Sequence, residues 1–342
     1  MKRTIVMGSL AAAIGLCSSG AAAQQLTGAG ATFPNPIYSK WFSAYSQKTG
    51  VQINYQSIGS GGGIKQYTEG TVDFGASDGP MTNDQMSAVQ GKVYHIPTVL
   101  GADVLTYNLP AIGTAQLKFD GPSIAGIFLG TITKWNDPRL VALNPGVKLP
   151  GDDIIVAHRS DGSGTTYIFT DYLSKVSPEW KEKVGFATSV NWPVGLGGKG
   201  NEGVTGLVKQ TPNAIGYVEL VYAIQNKLPY AEIRNATGRF VKPTLESVTA
   251  AAGSAAANMP ADFRVSITNP TGPDAYPIAS FTWLLIPTRY KEPETARALK
   301  QFLEWMLEAG QSFATPLSYA PLPPAVVELE RKALSKIEVG GQ

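Results

Sequence analysis

The chain has 342 residues, more than one hydrophobic core ordinarily supports, so about two domains are expected. Lys and Arg number 28 against 26 Asp and Glu, and two of the basic residues, Lys2 and Arg3, lie in an N-terminal leader whose removal leaves a neutral chain. A neutral chain without basic runs lacks the positive field on which nucleic-acid and anionic-membrane binding rest, so any anion it holds must be captured by local dipoles.

The leader is Lys2-Arg3, an apolar run from Ile5 to Leu16, and small residues ending in Ala21-Ala22-Ala23. This is the pattern of a secretory signal peptide over residues 1–23, with an apolar run too short to span a bilayer. Cleavage near Ala23 starts the mature chain near Gln24 and removes Cys17, the single cysteine. A lipid-modified Cys17 is the alternative, disfavoured by the bulk of Leu16 before it. Without Cys17 there is no disulfide framework, and the fold must be held by its core.

Thr27-Gly28-Ala29-Gly30-Ala31-Thr32-Phe33-Pro34 is a small-residue loop leading into Ile37, Trp41, Ala44 and Tyr45, which are spaced for a buried helix face that Gly50 closes. Val51 to Tyr55 alternates as a strand and delivers the chain to Ser57-Ile58-Gly59-Ser60-Gly61-Gly62-Gly63, a second such loop, ahead of a short helix from Ile64 to Glu69. Repeated βα units with Gly-, Ser- and Thr-rich helix starts predict an α/β fold with its ligand beyond the carboxyl ends of the strands.

Gly75-Ala76-Ser77-Asp78-Gly79 fits the G-x-S-x-G elbow of serine hydrolases. A hydrolase also needs a histidine base, and the chain has only His95, beside Ile96-Pro97, and His158, beside Arg159. Val99 to Tyr107 reads as a strand; Ile124 to Gly130 and the Thr133 to Pro138 turn lead through Pro145 and Pro150 to the most informative stretch of the chain.

There, Ile154 to Ala157 is of strand type, His158-Arg159-Ser160-Asp161-Gly162-Ser163-Gly164-Thr165-Thr166 follows, and Ile168, Phe169, Tyr172 and Leu173 then share one helical face. Strand, glycine-rich turn and helix leave free backbone N–H groups and the positive end of a helix dipole at the turn, with the forked donors of Arg159 beside them. This is an anion cradle, or, taken alone, a capped loop in which Arg159 pairs with Asp161 for structure only.

Gly195-Leu196-Gly197-Gly198-Lys199-Gly200 matches G-x-G-x-x-G, but Pro193 makes the preceding residues a poor central strand, so close backbone approach or a further wall of the cleft is the better reading than a dinucleotide site. Ala214 to Glu219 is a strand, residues 235–275 form a polar elaboration, and Ile278 to Ile286 is a strong apolar strand. Two helices end the chain, with stripes of Leu299, Phe302, Leu303, Met306 and Leu307, closed by Gly310, and of Val326, Leu329, Ala333 and Ile337.

Together, TGAGATFP (Thr27 to Pro34), IGSGGG (Ile58 to Gly63), VDFGASD (Val72 to Asp78), RSDGSGT (Arg159 to Thr165) and WPVGLGGKG (Trp192 to Gly200) closely resemble, in order and over the whole mature chain, the periplasmic phosphate-binding proteins of bacterial phosphate ABC transporters. The resemblance implies a type II periplasmic binding protein: two α/β domains, residues 24–104 plus 279–342 and residues 105–278, joined by two strand crossovers and closing on a ligand cleft between them. It implies a monomer that binds inorganic phosphate in the periplasm and delivers it to the permease subunits in the inner membrane, without chemistry, cofactor or metal. The implied ligand contacts are Thr32, Phe33, Ser60, Asp78, Arg159, Ser163, Gly164 and Thr165, with Asp161 pairing with Arg159; many members of the family it resembles carry a second arginine where this chain has His158.

The residue chemistry is compatible with those roles. Hydroxyls of Thr32, Ser60, Ser163 and Thr165 and the N–H of Phe33 are neutral donors, and Asp161 can hold the guanidinium of Arg159 flat. Asp78 is the odd member, since a carboxylate facing an anion is repelled unless the anion carries a proton to donate. Another oxyanion such as sulfate or molybdate, or a secreted serine or phosphate-ester hydrolase, remains the alternative.

Overall fold

The computed structural model describes residues 25–290 and 292–337. The leader, Cys17 and the cleavage near Ala23 lie outside them.

The chain opens with β1 (Gln25–Gly30), α1 (Asn35–Thr49), β2 (Gln52–Ser57), α2 (Ser60–Thr68), β3 (Phe74–Ser77) and α3 (Asn83–Ser87), the βα alternation that the loops predict. The long strand β4 (Val93–Asn108) follows, then β5 (Lys118–Phe119), α4 (Gly121–Phe128) and α5 (Pro138–Leu143). Next come β6 (Ile155–Arg159), α6 (Gly164–Val176), α7 (Pro178–Lys183), β7 (Leu196–Gly198), α8 (Gly200–Gln210), β8 (Ala214–Glu219) and α9 (Leu220–Gln225). β9 (Glu232–Arg234) leads into the elaboration, which holds β10 (Phe240–Val241) and α10 (Leu245–Ala257), and the chain returns through β11 (Ala279–Pro287) to α11 (Pro293–Leu307) and α12 (Pro324–Leu334).

Eight strands form one mixed sheet in the order β2-β1-β3-β11-β4-β8-β6-β7, and β10-β9-β5 form a small second sheet. β1 pairs in parallel with β2 and β3 in one half, and β6 pairs in parallel with β7 and β8 in the other. Between them runs β4, antiparallel to β11 from Val93 to Ala102 and antiparallel to β8 from Asp103 onward. Thus β4 carries the chain from one half to the other, and β11 enters at the same level from residues 235–278, opposite Ala102.

Both strands are buried along nearly their whole length, as expected of strands covered on both faces. Pro97, which has no N–H to give a central ladder, is accommodated by an irregularity at Thr98: Trp283 pairs with Pro97 and Thr282 with Val99.

Several sequence expectations change. Thr27 to Gly30, expected as loop, belong to β1, and His158 and Arg159, expected at the start of a turn, end β6. The strand expected over residues 99–107 begins at Val93, because His95 and Pro97 are absorbed into it. Helix α2 begins at Ser60 and takes in Gly61, Gly62 and Gly63 against their poor helix propensity, since a side chain at 63 would collide with the backbone of Gly30 and Ala76. In α12, Leu329 is 37% exposed while Glu330 is fully buried. The buried face therefore runs Val326, Glu330, Ala333 and Ile337, with Leu329 at its edge.

Candidate functional site

Arg159 is the last residue of β6 and only 3% exposed. Its Nε donates to Oδ1 of Asp161 at 2.8 Å and its Nη2 to Oδ2 at 2.6 Å, a bidentate pair. Nη1 donates to Oγ1 of Thr165 at 3.2 Å, so three of the five guanidinium N–H groups are engaged. Burial disfavours the charge on Arg159, but the hydrogen bonds and charge of Asp161 outweigh it and keep the group ionised. Burial likewise pushes the Asp161 carboxyl up, while Arg159 and the N–H of Gly200 at 3.0 Å pull it below the ordinary carboxylate range.

Beyond this pair begins α6. Ser163 caps it, its Oγ accepting from the N–H of Thr166 at 3.0 Å, and the Thr165 N–H in the first turn has no partner among the described residues. The helix start meets the opposite half of the molecule: the N–H of Gly164 donates to Oγ of Ser60 at 3.0 Å, and the N–H of Gly61 to the carbonyl of Gly162 at 2.9 Å. Position 164 admits only glycine at this spacing, because a Cβ there would lie 2.5 Å from Ser60 Oγ and 2.6 Å from Asp78 Cβ.

Asp78 follows β3 and is fully buried. Its Oδ1 accepts from Thr282 Oγ1 at 2.7 Å, its Oδ2 lies 3.4 Å from the donating Ser60 hydroxyl, and its N–H reaches Ser60 Oγ at 3.2 Å. Burial pushes the Asp78 carboxyl up to about 7, against the pull of Thr282, Arg159 and Ser60. Thr32 and Phe33 stand between β1 and α1. The Thr32 carbonyl accepts from Tyr222 Oη and the Phe33 carbonyl from Tyr319 Oη, both at 2.6 Å, while the Phe33 N–H has no partner among the described residues.

Of the eight residues named from the sequence, Ser60 and Asp78 of one half meet Gly164 of the other, Arg159 bonds Thr165, and Thr32 is joined to Thr165 through Asn201, with Asp161 bracing Arg159; Ser163 and Phe33 adjoin them along the chain. Reading the sequence alone missed two residues. Asn201, just past the last glycine of Gly195 to Gly200, bonds Thr32 and Thr165 at once; the glycine-rich spacing marks that loop as a wall without marking the asparagine. Thr282 is hidden inside an apolar strand and shows itself only through the antiparallel β3–β11 register, in which Trp283 pairs with Ser77 and Thr282 falls beside Asp78.

His158 stacks on Trp192 with ring centroids 4.8 Å apart and planes at 15°, and its Nδ1 meets the Arg159 carbonyl at 3.0 Å. Successive residues of a strand face opposite ways, so the imidazole lies across the sheet from the guanidinium. Ser77 of the G-x-S-x-G match donates its hydroxyl to the Gly79 carbonyl, and His95 Nε2 accepts from the N–H of Met81 at 3.0 Å, so no hydrogen bond joins serine and histidine. Gly195 to Gly200 forms the edge strand β7 and the start of α8, and its Gly200 N–H serves Asp161.

Below the cleft, Asp103 faces Glu219 across the β4–β8 ladder. Burial drives both carboxyls well above their ordinary range, each made worse by a neighbouring acid, Glu219 for Asp103 and Asp78 for Glu219. Glu219 caps α9 through the Val221 N–H at 2.8 Å, whereas neither oxygen of Asp103 has a partner among the described residues.

A family model described as a PBP superfamily domain matches residues 18–309. The phosphate-binding protein PstS of Haemophilus influenzae is 50% identical over 307 residues, 90% of this chain and 91% of its own, and that of Pasteurella multocida is 48% identical over 306 residues, 90% and 88%. Among solved structures, the high affinity periplasmic phosphate-binding protein PfluDING, bound with phosphate, superposes with a TM-score of 0.74 over 93% of this chain and 96% of its own at 22% identity, a likeness of fold. Two lobes sharing two strands around a polar cleft are those of a substrate-binding protein of the PBP superfamily. The chain belongs, within it, to the family of the phosphate-binding protein PstS.

Proposed function

We propose that this chain binds one inorganic phosphate between its halves and delivers it to the permease of a phosphate ABC transporter for import, by binding and release without chemistry. It works in the periplasm as a monomer, with domains 24–104 plus 279–342 and 105–278. In support of those boundaries, β4 changes partner between Ala102 and Asp103 and β11 begins at Ala279. Among the described residues no helix is long and apolar enough to cross a membrane.

The observation that carries the reading is the donor and acceptor pattern of the cleft. The remaining Arg159 donors, the N–H groups of Phe33 and Thr165, and the hydroxyls of Thr32, Ser60, Ser163 and Thr165 suit acceptor oxygens, and Gly164 lets the helix start come close. Asp78 is the one carboxylate assigned to the ligand. Phosphate at neutral pH has both kinds of oxygen, several acceptors and one carrying a proton, whereas sulfate and molybdate at that pH present acceptors alone.

Equilibrium dialysis with labelled phosphate tests it. Arg159→Ala should weaken binding by about 2 to 5 kcal/mol, the worth of a charge-assisted contact to a desolvated anion. The variant should still fold. Wild-type affinity in a folded Arg159→Ala chain would contradict the assignment.

A further inference from the structure

Asn201, the second residue of α8, is fully buried and bonds to both halves of the cleft. Its Oδ1 accepts the backbone N–H of Glu219 at 2.9 Å. A backbone N–H can only donate, so this contact fixes which way the amide faces, and its NH₂ must point to the other side. There it donates to Thr32 Oγ1 at 2.9 Å and to Thr165 Oγ1 at 3.1 Å.

Each hydroxyl receives a second donor: the N–H of Asn201 itself reaches Thr32 Oγ1 at 3.2 Å, and Arg159 Nη1 reaches Thr165 Oγ1 at 3.2 Å. A hydroxyl has two lone pairs and one hydrogen. With both lone pairs of Thr32 and of Thr165 engaged, only the O–H remains to be used, and neither O–H has an acceptor among the described residues.

We propose that Asn201 is a positioning residue that occupies the acceptor sites of Thr32 and Thr165 and so forces both hydroxyls to act toward the ligand as donors alone. The inference rests on the reading that this cleft holds phosphate. Its consequence is specificity: an oxygen bearing a proton finds no acceptor at Thr32 or Thr165 and is directed to Asp78. Because Thr32 follows β1 and Thr165 lies in α6, one amide sets the polarity of donors from opposite lobes, and only when the lobes meet.

The test is a double-mutant cycle read by phosphate titration, with thermal melts to establish folding. Asn201→Ala should weaken phosphate binding about tenfold in the wild-type background, the cost of one or two misdirected hydrogen bonds. In a Thr165→Val background, where one of its two hydroxyl targets is gone, the same substitution should cost clearly less. An equal loss in both backgrounds would assign Asn201 to holding α8 against β8, and no loss in the wild type would remove it from the site; either overturns the proposal. Should Asn201→Ala not fold, Asn201→Asp keeps the acceptor for the Glu219 N–H and the same coupling to Thr165 is read. Normal phosphate binding by Arg159→Ala would instead overturn the cleft assignment, so the two failures are distinct.

Discussion

On the proposed reading, Asp78 decides which anion is bound. Burial raises its carboxyl to about 7, so above that pH Asp78 is ionised and only an anion that carries a proton can hydrogen-bond to it. Sulfate brings no proton, and its oxygen would face the Asp78 oxygens with little water between them. A site built around such a hydrogen bond rejects an analogue lacking the donor by about 10⁴- to 10⁵-fold. Asp78→Asn, whose amide turns a donor or an acceptor to the ligand, should keep measurable phosphate binding and relax the exclusion of sulfate. The ratio of the two dissociation constants at one pH and salt concentration checks this, and an unchanged ratio contradicts it. The same residue predicts a stability trend in the absence of phosphate. Unfolded, Asp78 loses its proton near pH 4, at about 3.9; folded, it keeps it to about 7. Between these values the folded state binds more protons, so this contribution is fully present below pH 4 and is lost as pH rises to 7. Buried His95, lowered to about 4, acts in the opposite sense as its unfolded form takes up protons below about 6.5. The difference between wild type and Asp78→Asn isolates the first effect: the urea midpoint of the wild type should fall relative to the variant from pH 5 to pH 7.

At the scale of elements, the βα units, the crossover strands and the core-facing stripe of α11 were legible because period and glycine placement are local signals. What was not legible depends on neighbours far along the chain. The triple glycine of α2 reads as loop until Gly63 is seen against Gly30, the strand that reads as starting at Val99 starts at Val93 once the β4 irregularity admits Pro97, and Leu329 reads as core-facing until α12 packs with Glu330 buried. The resemblance of the glycine-rich loops named eight candidate ligand residues and Asp161, yet it did not name Asn201 and Thr282, whose hydrogen-bond partners Thr32 and Asp78 lie 169 and 204 residues away. The start of α6 offers a test of element fit. Gly164→Ala leaves a helical backbone undisturbed but sets a methyl against Ser60 and Asp78 of the other lobe. Overpacking of this kind costs about 1 to 3 kcal/mol, and here it should oppose closure. Phosphate affinity should drop by that amount while the ligand-free melting temperature is preserved; a matching loss of both would mean that the contact holds the fold rather than the closed state.

On the scale of the whole molecule, a chain with 28 basic and 26 acidic residues would carry the proposed anion site on local devices: a helix start, a braced guanidinium and oriented hydroxyls shared between two lobes. The lobes are linked by two long strands and meet through Gly164–Ser60, Gly61–Gly162 and Asn201–Thr32 contacts. On the proposed reading an anion is desolvated only when both lobes engage it, and a nearly balanced net charge gives little steering. The most direct test is calorimetric titration of the purified chain with phosphate and then with sulfate at fixed salt and a pH above 7, where Asp78 is ionised. The account predicts one saturable phosphate per chain, displaced by no excess of sulfate short of about 10⁴-fold. Absence of phosphate binding, or sulfate binding of comparable strength, would contradict it.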